Sequence, residues 1–199
     1  MNESRIIPLR RAGFTMIEVM VALLIIVLGL LGLAGLQVRM QQAEFESYQR
    51  TQALVLLYDM VDRINLNRST ASCFALTDGT TGGPWFGVAT TITPACAVGG
   101  GADNTAAIDA MTEWNDLLQG AAEKKGVAAD AVGAMSGARG CVSLTGGVYT
   151  VAVAWQGMVE TSTPKMDDGV TIINCANGEY GTETRRRAVS TTFRMATLD

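Results

Sequence analysis

The stretch Arg10-Arg11-Ala12-Gly13-Phe14-Thr15-Met16-Ile17-Glu18 is followed by no further charged side chain until Arg39. Basic residues end at a glycine, an apolar run opens on a phenylalanine, and one carboxylate sits a helical turn inside that run. From Val19 to Val38 the only strongly polar side chain is Gln37, and about twenty such residues suffice to cross a bilayer as a helix. A secretory signal would place its small-residue cleavage site after a hydrophobic core of roughly 7–15 residues. Here the glycine comes before the apolar run, so a cut between Gly13 and Phe14 would leave the span on the mature chain. Arg5, Arg10 and Arg11 precede the span and only Arg39 follows it closely. The positive-inside bias therefore predicts a cytoplasmic N-terminus, with the bulk of the chain across the membrane.

Glu18 needs a physical reason to be there. A carboxylate at the centre of a membrane helix costs about 2.5–3.5 kcal/mol on insertion scales, less near the end, and usually has a partner. A cut before Phe14 would create an α-ammonium at matching depth, on the same subunit or a neighbour. Taken alone, Glu18 is an interfacial acid tolerated near the end of a signal anchor. Taken with Gly13, Phe14, Thr15 and Ile17, it belongs to a pattern.

Gly13-Phe14-Thr15-Met16-Ile17-Glu18-Val19-Met20-Val21-Ala22-Leu23 resembles the signal of the type IV pilin and pseudopilin family. The resemblance implies cleavage after Gly13 by a prepilin peptidase, N-methylation of Phe14, and use of Glu18 when the subunit leaves the bilayer for a helical fibre. It also implies a bacterial inner-membrane protein, single-pass with a periplasmic head, that later joins a pilus. The partners so implied are the major pilin, other minor pilins and an inner-membrane assembly platform. The proline that many major pilins carry inside the span is missing, and Gly29, Gly32 and Gly35 stand there instead. Small residues let membrane helices approach closely. Each also weakens the helix by about 1 kcal/mol relative to alanine, which would ease local melting during assembly.

Removal of residues 1–13 takes away three Arg and one Glu, moving the formal charge from −4 to −6. A mildly acidic body argues against a nucleic-acid partner. Cys73, Cys96, Cys141 and Cys175 all lie beyond the span, in a compartment expected to be oxidising, and an even number there reads as two disulfides with three possible connectivities. Cys73–Cys96 with Cys141–Cys175 is the preferred pairing, because each bracket encloses one contiguous piece of chain. A zinc site is disfavoured by the lack of CxxC spacing and of any histidine. The same lack removes the commonest general base, and no cofactor, metal or catalytic set is expected. Asp167-Asp168-Gly169 reads as a turn rather than a calcium loop.

Beyond the span the helical pattern continues. From Gln37 to Asn67 there is no Pro or Gly, and Ala53, Leu56, Leu57, Met60, Val61 and Ile64 recur at three- and four-residue steps. Gln41, Gln42, Glu44, Glu46, Gln49 and Arg50 are assigned to its polar faces. One helix from about Phe14 to Leu66 is expected. Residues 14–38 would lie in lipid, 39–67 would form an amphipathic continuation, and 68–199 a disulfide-bonded head. Thr77 to Asp103 reads as a disulfide-tied surface loop with a possible short strand at Trp85–Val88. A helix capped by Asp103 or Asn104 is expected to run to about Lys124, with Lys124 and Lys125 at its C-terminal end. Trp85, Trp114 and Trp155 are read as core aromatics.

Four strands are expected: Cys141–Leu144, Val148–Trp155, Val170–Ile173 and Ala188–Met195, with Gly146-Gly147 turning between the first two. The fold class is therefore α+β, a long N-terminal helix packed on a small antiparallel sheet, as the pilin resemblance also implies. Arg185-Arg186-Arg187 is read as a solvated strand entrance or sheet edge, with a DNA-phosphate patch as the functional alternative. The function expected from all this is a non-enzymatic minor pilin of a priming or tip complex. A type II secretion pseudopilin and a tip adhesin or DNA receptor are the alternatives.

Overall fold

The computed structural model describes residues 13–90, 92–125, 130–131, 133 and 135–196. The leader residues 1–12, including Arg5, Arg10 and Arg11, fall outside that set. The architecture is α+β and pilin-like: a long N-terminal apolar helix and a small four-stranded antiparallel sheet. The chain divides into two compact units, Met1–Glu44 and Phe45–Asp199.

The described part of the first unit is the apolar half of helix α1 (Met16–Leu66). Its aliphatic side chains are exposed throughout, Leu24 at 60% and Leu31 at 65% being typical. Gly29, Gly32 and Gly35 do not interrupt the helix, and among the described residues nothing lies within 4 Å of a Cβ placed on any of them.

In the second unit the rest of α1 turns a stripe of Gln49, Ala53, Leu56, Leu57, Met60 and Ile64 into the core. Gln49 is buried with neither amide atom hydrogen-bonded among the described residues, which corrects its assignment to a polar face. Its position four residues before Ala53 puts it on the apolar side of the helix whatever its chemistry. Glu46 is likewise drawn inward, as described below. After Asn67 a short 3₁₀ segment (Arg68–Phe74) leads to Cys73, which is bonded to Cys96.

Strand β1 (Phe86–Gly87) is only two residues long, yet it supplies one edge of the sheet. Helix α2 (Gly101–Leu118) follows, starting a few residues earlier than expected and ending about six residues sooner. Its N-cap is Gly100, while Asn104 folds back to exchange hydrogen bonds with the Gly99 backbone. At the other end Gly120 takes a φ of +92° and stops the helix. Lys124 and Lys125 consequently form strand β2, paired with β3 (Asp130–Ala131), and do not sit at the helix terminus. The core stripe of α2 is Ala107, Met111, Trp114 and Leu118; Ile108 and Leu117 flank it half-buried.

β4 (Arg139–Thr145) and β5 (Val148–Gln156) form a hairpin closed by Gly146 and Gly147, both at positive φ. Two such residues in sequence suit the right-handed twist of the flanking strands. β6 (Arg186–Phe193) completes the order β1-β4-β5-β6. Val170–Ile173 is not a strand: it contributes one isolated bridge, Lys165 to Ile172, and Val170 is 77% exposed. Asp168 explains the difference, since its carboxylate accepts the backbone N–H groups of Val170 and Thr171 and holds the segment in a turn. The fourth strand is β1 instead. Below the sheet, Cys141 and Cys175 are disulfide-bonded among Ala152, Ala154, Ile173 and Tyr180.

Trp114 is fully buried, stacks edge-on against Phe86 at 5.3 Å, and donates its indole N–H to the Leu56 carbonyl at 2.9 Å. β4 can lie against it only through Gly140, where an added Cβ would fall 2.1 Å from the indole. The Gly140→Ala variant should lose on the order of 3 kcal/mol of head stability, at the upper end of overpacking costs, as measured by urea unfolding of the detergent-solubilised chain.

Candidate functional site

Two places carry the residues singled out from the sequence. The first is the junction Gly13-Phe14 with Glu18. Residues 13–15 lie outside any helix or strand, and Phe14 is 83% exposed. Thr15 is the cap of α1. Its carbonyl accepts the N–H of Glu18 at 3.1 Å and of Val19 at 3.4 Å, and its hydroxyl accepts the Glu18 N–H at 3.3 Å. Thr15-Met16-Ile17-Glu18 thus forms the threonine half of a capping box, a role that was not assigned to Thr15 from the sequence. The spacing of a Thr three residues before a Glu, ahead of an apolar run, was the available signal.

This cap places the Glu18 carboxylate in the first helical turn, where the aligned peptide dipoles favour negative charge. An α-ammonium formed at Phe14 would meet the same dipole with the wrong sign, two residues before the helix begins. A carboxylate in the first turn is what that end of the helix needs. The structure leaves the peptide bond after Gly13 exposed and outside the helix.

The second place is the arginine run, and the three residues separate. Arg185 is half exposed and lies 3.6 Å from Glu160. Arg186 is fully buried; it donates to Glu183 through Nε at 2.7 Å and to the carbonyls of Ile173 and Cys175 through Nη1. Arg187 contacts Glu46 at 3.3 Å and donates to the carbonyls of Val159 at 2.7 Å and Thr184 at 3.1 Å. Each arginine therefore has its own carboxylate. The run is neither the solvated sheet edge expected from the sequence nor a phosphate patch, since two of its three guanidiniums are committed inward. Within β6 (Arg186–Phe193) neighbours alternate, so Arg186 and Arg187 go to opposite faces, while Arg185 belongs to the 3₁₀ turn before the strand.

Burial pushes the Glu183 carboxyl up, but its hydrogen bonds from Arg186 and the Gly178 N–H outweigh this and hold it below the ordinary range. Nearby, Arg139 lies between the rings of Trp85 and Tyr180, at 5.3 and 4.8 Å from their centroids. Burial drives the Tyr180 phenol up to about 12 against the pull of Arg139, and its hydroxyl donates to the Gly137 carbonyl. Asp168 is held below the usual carboxylate range by the Thr171 hydroxyl and by two backbone N–H groups, so its oxygens serve the turn. Among the described residues no cluster of three or more His, Cys, Asp or Glu side chains could hold a metal.

Comparison with known families identifies the first place. The model of the prokaryotic N-terminal methylation motif matches residues 8–34, which encloses Gly13, Phe14 and Glu18. No curated protein and no solved structure matches the chain. The motif suggests a substrate of the type IV pilin or pseudopilin kind and implies processing by a prepilin peptidase. The apolar half of α1 is compatible with membrane anchoring, being long and apolar enough to cross a bilayer.

Arg186→Leu should lower stability on the order of 3 kcal/mol, because Glu183 and two carbonyls lose their donor. Arg185→Leu should change it by less than about 0.5 kcal/mol, as exposed ion pairs contribute little. Thermal melts followed by tryptophan fluorescence will separate the two. For Tyr180 the folded-state value lies above the unfolded one of about 10. Its contribution is thus complete below pH of about 10 and lost as pH rises towards about 12, so one of the four tyrosines should titrate last in an alkaline absorbance titration, together with unfolding.

Proposed function

We propose that the chain is a minor type IV pilin, a non-enzymatic subunit held in the inner membrane by residues 14–38, cut after Gly13 and methylated on Phe14. It then joins other minor pilins in the complex from which a fibre of major pilin grows. The observation that carries this reading is a first-turn glutamate whose backbone N–H is held by the Thr15 cap, directly after an exposed Gly13-Phe14 bond, at the head of a membrane-length helix. Glu18 serves as counter-charge to the Phe14 amine, on the same subunit or the one beside it, when the helix leaves lipid. The inner-membrane assembly platform is the partner at that step.

Within the minor pilins, the head most resembles the type IV pilus modification protein, PilV. The similar features are an Asp- and Trp-bearing middle helix, a Cys followed by a strand ending Val153-Ala154-Trp155-Gln156-Gly157, the later Cys175, and an arginine run before the last strand. The disulfide pairs Cys73–Cys96 and Cys141–Cys175 suit an oxidising periplasm. The rival in the same class is a type II secretion pseudopilin, and loss of surface fibres or of enzyme export on deletion distinguishes the two. Occupation of Arg186 and Arg187 within the head weighs against the DNA-receptor version.

Intact mass of the mature protein should show the loss of residues 1–13, one added methyl group, and four hydrogens fewer than the reduced thiols. An unprocessed chain would end the proposal. Glu18→Gln should still be cleaved, but its incorporation into fibres should fall by about tenfold or more, because half the insertion cost of a membrane carboxylate already corresponds to that ratio. Incorporation at the level of the unaltered subunit would remove the counter-charge role.

A further inference from the structure

Among the described residues the last strand of the sheet has one unpaired edge, and that edge forms the floor of a groove. β6 pairs with β5 on one side and is terminal in the strand order. The Gly157 N–H donates to the Arg185 carbonyl at 2.8 Å, which sets the alternation of the antiparallel ladder. Residues 187, 189 and 191 then bond to β5, while Ala188, Ser190 and Thr192 turn their backbone N–H and C=O groups outward. Beside this edge lies a cleft of about 280 Å³, lined from one sheet face by Leu54, Leu57 and Tyr58 of α1 and from the other by Lys165, Asp167 and Ile173. Walls on both faces with a strand edge between them describe a slot for one more strand.

The charge around the slot is specific. Arg50 lines this cleft and two adjoining ones, and Lys165 lines this cleft and one of them. Neither side chain takes part in an ion pair among the described residues, whereas Glu46 is spent on Arg187. Asp167 is the one acid in the lining, so the slot carries a net positive charge. A second copy of β6 would bring its own Arg50 and Lys165 against these, and like charges at such an edge repel. An extended segment with alternating apolar and acidic side chains fits instead.

We propose that the outer edge of β6 is a strand-addition site that takes an acidic, alternately apolar segment of a partner protein. Main-chain hydrogen bonds to Ala188, Ser190 and Thr192 supply affinity, and Arg50 and Lys165 select for acid over base. Only residues from Phe45 onward take part, so the site stands or falls separately from the reading of the N-terminal motif.

The test uses the full chain in detergent micelles and two labelled synthetic decapeptides, one alternating Val with Glu and the other Val with Lys. The Val–Glu peptide should bind in fluorescence anisotropy, lose affinity with added salt, and slow amide exchange at Ala188, Ser190 and Thr192. The Val–Lys peptide should bind about tenfold more weakly or worse. Ser190→Pro removes an outward N–H without touching the β5 ladder and should abolish binding. Equal binding of the two peptides, or no added protection at the three amides, would overturn the proposal. So would undiminished binding by a Ser190→Pro protein of unchanged melting temperature. Should that variant melt early, Arg50→Glu combined with Lys165→Glu must reduce binding about tenfold, and unchanged affinity rejects the site. Self-association without peptide, abolished by Ser190→Pro, would assign the edge to a second copy and reject the acidic partner.

Discussion

The head is organised around one indole. Trp114 reaches from α2 to the backbone of α1, to the ring of Phe86 on β1 and to the bare Cα of Gly140 on β4. A buried indole N–H without an acceptor would carry a desolvation penalty of about 1–3 kcal/mol, so the Leu56 carbonyl fixes how far Trp114 inserts. That depth in turn fixes how close β4 can come, and only glycine permits it. β1 survives as a two-residue strand because Asn115, one residue after Trp114, accepts the Gly87 N–H through its side chain at 2.8 Å. A strand of that length has little stability of its own. Here it is held by an aromatic contact at Phe86 and a polar one at Gly87.

The arginine triplet shows how charge that looks like a surface feature becomes internal framework. Arg186 ties the start of β6 to the carbonyls of Ile173 and Cys175, next to the disulfide that already binds Cys175 to β4. A single guanidinium therefore satisfies backbone groups of a segment that has no ladder of its own. Arg187, on the opposite face, closes on Glu46 of α1 and the Val159 carbonyl, while the same Glu46 oxygen accepts the N–H groups of Met158 and Val159. The loop after β5 is thus pinned to the helix by one carboxylate. Planar guanidinium forks suit this task, because several fixed donors serve acceptors from different segments at once.

Elements with a strong period were legible in the sequence, and elements decided by a single side chain were not. The apolar run and the three- and four-residue steps of α1 marked the helix to within two residues of its start, and the β4–β5 hairpin was marked by its paired glycines. Val170–Ile173 carried the right residue types for a strand, yet the Asp168 carboxylate captures its backbone first. The C-terminal end of α2 was overestimated because Lys124 and Lys125 look like helix-end charges, while Gly120 ends the helix two residues after Leu118. Arg186 could not be told from its neighbours by composition, since the start and phase of β6 decide which face each of Arg186 and Arg187 takes. At the N-terminus the cap needed no tertiary information: Thr15 and Glu18 stand three apart, and local geometry does the rest.

The two units differ in what still needs cover. The head buries its apolar residues itself, with Trp114, Phe74, Phe86 and Leu57 all but inaccessible. The apolar half of α1 buries none, and its aliphatic side chains from Val19 to Val38 stand roughly half exposed or more. Apolar area left in water is unfavourable by about 25 cal/mol per Å², so this segment is stable only inside another apolar medium. Lipid is one such medium and a bundle of apolar helices is another, and the proposed passage between them would exchange like for like in hydrophobic terms. What does differ between them is the fate of charge at the helix start. Hydrophobicity therefore holds the proposed subunit in either place with little preference, and the Glu18 carboxylate is the group in a position to decide between them.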